Sequence, residues 1–387
     1  MVLLAGICPS PADTPAAAAT NAAPPDTTFA DGGAVGLPAV LARRLVAEDP
    51  LWAEALRIHY SALVMDGHID TPSLMLDEGY RFGERHRPLA GSAHVDLPRM
   101  VEGGLDAPFF SIYVARSYGE GPEATARAVA MMEEAERQVA GLDAVEIART
   151  ADDVRRLTSS GQKAVLMGLE GGHALQGSPD VLRQLWAGGI RYVTLTHTNT
   201  NAWADASTDA PRWGGLNDLG RDLVREMNRL GVLVDLSHVS DATFYDAVAV
   251  AEAPVILSHS SCRALFDHPR NVTDAMLRAL GTNGGVLMIN FYPAYLGDGR
   301  VDVETLLDQI DHAVQVAGVD HVGLGSDFDG VPSLPVGMED ATRLPWITYG
   351  LLKRGYAEGD VRKILGLNTL RALDAAEAAS ARLRGSR

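Results

Sequence analysis

Cysteine and lysine are the scarce residues of this 387-residue chain. Its two cysteines, Cys8 and Cys262, cannot build a disulfide framework or a thiolate zinc site, so any bound cation must be held by histidine and carboxylate. Cys262 follows an apolar run and a polar turn, where a packed and inert thiol is expected. Lysine occurs only at Lys163, Lys353 and Lys363. Positive charge as a whole is outnumbered, 33 Lys and Arg against 50 Asp and Glu, leaving a formal charge of −17 and a pI near 5.0. Such a surface repels a nucleic-acid backbone or an anionic membrane face and suits a small neutral or cationic substrate. No run approaches the ~20 apolar residues needed to cross a bilayer.

Apolar material is nonetheless ample. With 47% hydrophobic and 21% charged residues, the composition is that of a soluble globular protein with a large core. Residues 1–37 differ from the rest. They read as a short apolar start followed by an Ala/Pro/Thr-rich tether, expected to be disordered, ahead of one folded domain at 38–387. The apolar stretch 2–7 lacks a basic flank and is shorter than a signal core, yet it is compatible with the remnant of an export signal. Leu4, Ala5 and Gly6 suit a lipobox, but Ile7 stands where its cysteine belongs and Cys8 falls one place late. The compartment stays open: exported or lipid-anchored if this is a signal remnant, cytoplasmic otherwise.

From about residue 40, short Val/Ile/Leu/Phe runs alternate with longer segments of helical period, the pattern of parallel βα units. The runs are ALVMDGH (62–68), APFFSIYVA (107–115), KAVLMGLE (163–170), IRYVTLTH (190–197), GVLVDLSH (231–238), APVILSH (253–259), GGVLMINFY (284–292) and HVGLGSDFD (321–329). Helices are expected over 121–142, 218–231 and 301–318, with Gly231 and Gly318 at their C-termini. Eight such units predict a single (β/α)8 barrel. An open doubly wound sheet is disfavoured because no phosphate-binding glycine loop follows the first run.

Barrel chemistry sits at the C-terminal rim of the strands. Of the eleven histidines, His68, His197, His238 and His259 end runs, and Asp70, Glu170, Asp327 and Asp329 stand at equivalent places. One polar terminus means nothing, since a satisfied histidine or a capping carboxylate is as good an account as a ligand. Here all termini but the second and seventh carry ligand-type residues, and burying so many together is costly unless a cation or hydrogen bonds compensate. His59, His86, His94, His268, His312 and His321 fall elsewhere and are expected to serve packing or the surface. His173, just past Glu170, is a candidate to orient a ligand from behind.

Three imidazoles and several carboxylates without a thiolate suit zinc, manganese or a similar borderline cation, zinc being the favoured hydrolytic choice. His68 and Asp70, two apart at one strand end, can share one ion. His238 and His259 can hold a second, and Glu170 has two oxygens with which to bridge. Two cations ~3.5–4 Å apart can share a hydroxide formed near neutral pH and polarise a carbonyl, which supports amide hydrolysis. Asp327 is placed to move a proton to the leaving amine.

Taken in order, DGHID, GLEGGHAL, TLTHTNTN, LVDLSH, ILSHSS with HPRN, MINFY and GSDFDG resemble the signature set of the renal or membrane dipeptidase family of zinc peptidases. The resemblance implies two zinc ions per subunit, with His68 and Asp70 on one, His238 and His259 on the other and Glu170 between them. It implies that His197 polarises the substrate carbonyl or stabilises its oxyanion. Arg270, assisted by Tyr292, would receive the free carboxylate of a dipeptide, Asp327 would shuttle the proton, and the enzyme would be a homodimer. An Arg fork matches a carboxylate bidentately, which would enforce cleavage one residue from a C-terminus. The first motif departs from the family form D-G-H-N-D-L-P-W at Ile69, Thr71 and Ser73, so preference for the substrate's N-terminal side chain does not carry over.

Two rivals remain at this stage. Amidohydrolase-type barrels carry H-x-H and often a carboxylated lysine, whereas this chain has H-x-D and its Lys163 opens a strand instead of closing it. A non-catalytic barrel that merely binds a ligand would have no need of the complete ligand set and Asp327.

Overall fold

In a computed structural model that describes residues 36–87 and 93–385, eight parallel strands form the wall of a barrel. They are numbered with one further strand as β1 (Met65–Ile69), β2 (Ala107–Tyr113), β3 (Val145–Ile147), β4 (Lys163–Glu170), β5 (Ile190–Thr194), β6 (Leu233–Asp235), β7 (Ile256–Ser260), β8 (Val286–Ile289) and β9 (Val322–Leu324). Hydrogen-bonded order is β1-β2-β4-β5-β6-β7-β8-β9, all parallel. Closure comes just beyond the last ladder, where Asp70 N donates to Phe328 O at 2.8 Å and Asp327 N to His68 O at 3.0 Å. The seam of the (β/α)8 barrel therefore runs between residues expected to do chemistry.

Each of the eight expected runs overlaps a wall strand, and β4 matches its run end to end; β1 and β7 begin three residues into their runs and end one residue past them. The other five are shorter than their runs, chiefly because the last residues leave the ladder to turn over the barrel mouth. β3 was not foreseen. Its three residues pair only with the lower half of β4, too short a stretch to show a period.

Helices cover the outside, several of them started by a side chain that accepts an otherwise unpaired backbone N–H. Asn217 caps Asp218–Leu230, Ser240 caps Asp241–Val250 and Thr273 caps Asp274–Asn283. The expected helices appear as Pro122–Val139, Asp218–Leu230 and Val303–Ala317. Gly231 ends its helix in the left-handed region at φ +76°, whereas Gly318 leaves the helix at φ +98°, ψ 153° into a short 3-10 turn.

Alternation along the strands sorts the interior. In β4, Val165, Met167 and Leu169 pack outward against helices, while Ala164, Leu166, Gly168 and Glu170 point inward. The lower interior is apolar and is closed from below by the helix Asn368–Gly385, whose Leu370, Leu373 and Ala376 pack with Met65, Leu166, Ile256 and Val286. Gly168 matters here, because a Cβ would overlap the Tyr192 ring that lies across the barrel. Above this floor the inward residues become polar, and that change of character marks the site.

Leu37, the last residue of the expected tether, is buried beside Leu45, Trp52 and Ala55, and its N–H meets Tyr60 Oη at 2.9 Å. Residues 1–35 of that segment lie outside the described residues. Cys262 is fully buried, and burial pushes its thiol up to about 12, as an inert thiol requires. Among the described residues no helix is long and apolar enough to cross a membrane.

Candidate metal centre

Glu170, the inward-facing end of β4, is the hub of the barrel mouth. Its Oε2 lies 3.4 Å from His68 Nε2, while its Oε1 lies 3.1 Å from His238 Nε2 and 3.4 Å from His259 Nε2. Asp70 Oδ2 is 3.3 Å from His68 Nε2 on the first side. Asp70 also stands at the start of the helix Thr71–Glu78 yet makes no capping bond with its side chain, which leaves the carboxylate free to face the imidazole. His197, three residues past β5, is farther out, with its Nε2 3.9 Å from Glu170 Oε1.

These donors fit a cation better than they fit one another. His238 and His259 bring their Nε2 atoms within 2.8 Å, and buried His68 Nε2 has no hydrogen-bond partner. Ligand-type atoms of His68, Glu170 and His259, of Glu170, His197 and His238, and of His68, Asp70 and Asp327 each gather within 4.8 Å. Burial of so many bare lone pairs is unfavourable unless positive charge fills the space between them.

Electrostatics agree. Burial opposes ionisation of Glu170, but His68 and His197, with hydrogen bonds from His238 and His259, hold its carboxyl well below the usual range. His68 is raised well above an ordinary imidazole despite burial, through Tyr192, Glu170 and Asp70, so this side of the site favours a positive charge, which either a proton or a cation can supply. Burial drives His238 and His259 far the other way, aided by Arg270 in both cases. Neutral imidazoles are what a cation binds.

Asp327 joins from the β9 side. Burial, with Asp70 and Glu170 nearby, pushes it up to about 7 although His68 pulls down, and Asn290 Nδ2 donates to its Oδ2 at 2.9 Å. A Cβ at Gly330 would collide with both Asp70 Oδ2 and Asp327 Oδ1, so the chain can bring these carboxylates together only where it has no side chain. His238, Asp327 and Asp329 all adopt positive φ, +69°, +63° and +66°. Non-glycine residues in this region cost about 1–3 kcal/mol each, and such strain concentrates at functional sites.

Arg270 lies behind the histidines. Its Nη2 donates to His259 O at 3.1 Å, and its buried Nε has no hydrogen-bond partner. The aromatic ring beside it is Tyr295, 5.4 Å from the guanidinium carbon, and Tyr292 stands edge-on to Tyr295 at 4.9 Å. Tyr292 is thus one ring removed from the arginine it was expected to assist. Buried His173 makes no hydrogen bond to a member of the ligand set, and burial takes it down to about 4. His59 and His94 do serve packing: His59 bridges Thr348 and Gly103, and His94 accepts from Asp329 N at 2.9 Å.

Sequence reasoning missed the residues behind the ligands. Tyr192 Oη lies 2.7 Å from His68 Nδ1, Ser258 Oγ lies 2.8 Å from His259 Nδ1, and Asn290 holds Asp327. Their only signal was a polar residue at an inward position of an apolar run.

Over residues 52–387 the sequence matches the membrane dipeptidase family, peptidase family M19. The chain belongs to this family. As a membrane-dipeptidase relative it is 43% identical to the dipeptidase tcpJ of Claviceps purpurea over 336 residues, 83% of this chain and 78% of that protein. The crystal structure of dipeptidase AC, a metallopeptidase, aligns at 30% identity and TM-score 0.74, covering 81% of this chain and 98% of that one. A metallopeptidase from Rhodobacter sphaeroides, solved with a phosphinate mimic of the dipeptide L-Ala-D-Ala, aligns at 28% identity and TM-score 0.74, covering 81% and 99%. This dipeptidase is accordingly a metal-dependent peptide hydrolase, and the amidohydrolase and binding-module readings are not favoured.

Proposed function

We propose that the enzyme is a two-zinc dipeptidase in which His68, Asp70 and Glu170 Oε2 hold one ion and His238, His259 and Glu170 Oε1 the other. The observation that carries this reading is the division of Glu170, one oxygen toward His68 and the other toward the histidine pair. Nitrogen and oxygen donors without thiolate support zinc. When bound, the ions supply Lewis acidity and an acidified water.

The chain's own residues do the rest. Arg270, held by the His259 carbonyl and lying over the Tyr295 ring, would offer a buried cation to the substrate carboxylate. His197, at the outer edge, only partly buried and 3.9 Å from Glu170 Oε1, would polarise the scissile carbonyl. Asp327, held by Asn290 beside Asp70 at the barrel mouth, would take a proton from water and give it to the leaving amine. The family resemblance supports a homodimer, which sedimentation would test.

The test pairs metal quantification with hydrolysis of a dipeptide panel. The panel includes a C-terminal D residue, because the Rhodobacter sphaeroides relative carries a mimic of L-Ala-D-Ala. Two zinc equivalents and preference for free over amidated C-termini are expected. Arg270→Met should erase that preference, with a loss of about 10–150-fold in kcat/KM on free dipeptides, the worth of a charged hydrogen bond of about 1.5–3 kcal/mol. Unchanged discrimination would remove Arg270 from the carboxylate role.

A further inference from the structure

Among the three imidazoles proposed as ligands, His259 alone is tied to a buried carboxylate through its outer nitrogen. Its Nδ1 lies 2.8 Å from Ser258 Oγ, and Ser258 Oγ lies 2.6 Å from Asp235 Oδ2. Asp235 is fully buried and ringed by donors: the N–H groups of Ser237 and Ser258 reach Oδ1 at 3.1 and 2.8 Å, and the Thr194 hydroxyl reaches Oδ2. The Ser258 hydroxyl has one proton and three possible acceptors in range, the carboxylate at 2.6 Å, a neutral His259 Nδ1 at 2.8 Å and the neutral Ser237 hydroxyl at 3.4 Å. Charge and distance both favour the carboxylate. With that proton committed, Ser258 presents only a lone pair to His259, so Nδ1 must carry the imidazole proton and Nε2 must be bare.

We propose that Asp235, acting through Ser258, is a positioning residue that sets the tautomer of His259 and so keeps Nε2 available to the cation. The inference rests on His259 being a metal ligand. The contrast with its neighbours is chemical. Tyr192 Oη beside His68 Nδ1 can donate as readily as accept, so it orients that ring without choosing a tautomer, and His238 Nδ1 has no partner.

Asp235→Asn gives a discriminating test because it changes polarity without changing shape. The Asn carbonyl keeps both backbone donors, while the amide NH2 replaces Oδ2 and donates to Ser258 Oγ. Ser258 must then turn its proton toward His259 Nδ1, which moves the imidazole proton to Nε2. Ser258→Ala removes the relay without inverting it, so its effect should be the milder of the two. In metal-free protein with 15N-labelled histidine, NMR should report His259 protonated at Nδ1 in the native enzyme and at Nε2 in Asp235→Asn. Zinc titration should show the affinity of one equivalent falling by about 10–100-fold in Asp235→Asn, with a smaller fall in Ser258→Ala. An unchanged tautomer in Asp235→Asn overturns the proposal, as does a Ser258→Ala enzyme that binds zinc worse than Asp235→Asn. Native protein that takes up no zinc would instead overturn the ligand assignment, a result the NMR measurement distinguishes because it needs no metal.

Discussion

Asp327 has two chemically reasonable occupations, since it sits within 4.8 Å of His68 and Asp70 ligand atoms and is also held by Asn290 at the mouth. A ligand and a proton carrier respond differently to loss of charge. Asp327→Asn keeps the size and the partnership with Asn290 but cannot carry a proton. The expected outcome is full zinc content with kcat lowered by about 10²–10⁴-fold, the usual worth of a positioned acid–base group. Loss of an ion in that variant, measured by elemental analysis, would make Asp327 a ligand. At this scale the ligand types were legible in the sequence because histidine and carboxylate at strand ends have few other reasons to recur. Tyr292 was less legible. Whether it or Tyr295 lies beside Arg270 depends on the path of the chain after β8, which no local pattern encodes.

The elements that carry the site are themselves held by buried polar contacts, and one has a pH signature. His59, in the helix Leu51–Ser61, is fully buried between Thr348 Oγ1 and Gly103 O, each 2.8 Å away. The carbonyl can only accept, so Nε2 donates, Nδ1 accepts from the threonine, and the ring is neutral. Burial lowers it to about 4, against an ordinary 6.5. Between those values the unfolded chain binds the extra proton and the folded one does not, so stability is complete above pH 6.5 and falls as pH drops toward 4. The slope from this one group approaches about 1.4 kcal/mol per pH unit. Urea unfolding of His59→Gln should therefore show a smaller loss between pH 7 and pH 5 than the native enzyme; parallel losses would mean that His59 does not contribute. Among the elements, the wall strands were readable from their apolar runs. The short β3 and the role of the helix Asn368–Gly385 in closing the barrel floor were not, because both depend on what they pack against.

For the whole molecule, a cation bound among these donors would contribute to the stability of the fold. Carboxylates from β1, β4 and the β9 end and imidazoles from four strand ends meet where little else can neutralise them. A ligand present at 1,000 times its Kd stabilises the folded state by about 4 kcal/mol. Chelation is therefore expected to lower Tm by several degrees while leaving the circular dichroism at room temperature unchanged, and zinc should restore both Tm and activity. A Tm indifferent to chelation in calorimetry would show that the gathered side chains hold no structural ion.

Local periodicity and residue type were sufficient to determine the alternating units, the rim and the donor set, since hydrophobic pattern and ligand chemistry are properties of short segments. Closure of the barrel decided the rest. Only when β1 met the chain after β9 did Glu170 acquire a separate set of partners for each oxygen, and only the pairing of β6 with β7 brought Asp235, three residues before His238 and silent in the sequence, to stand behind His259. Those relations are distances between residues far apart along the chain, and burial converts them into charge, tautomer and affinity.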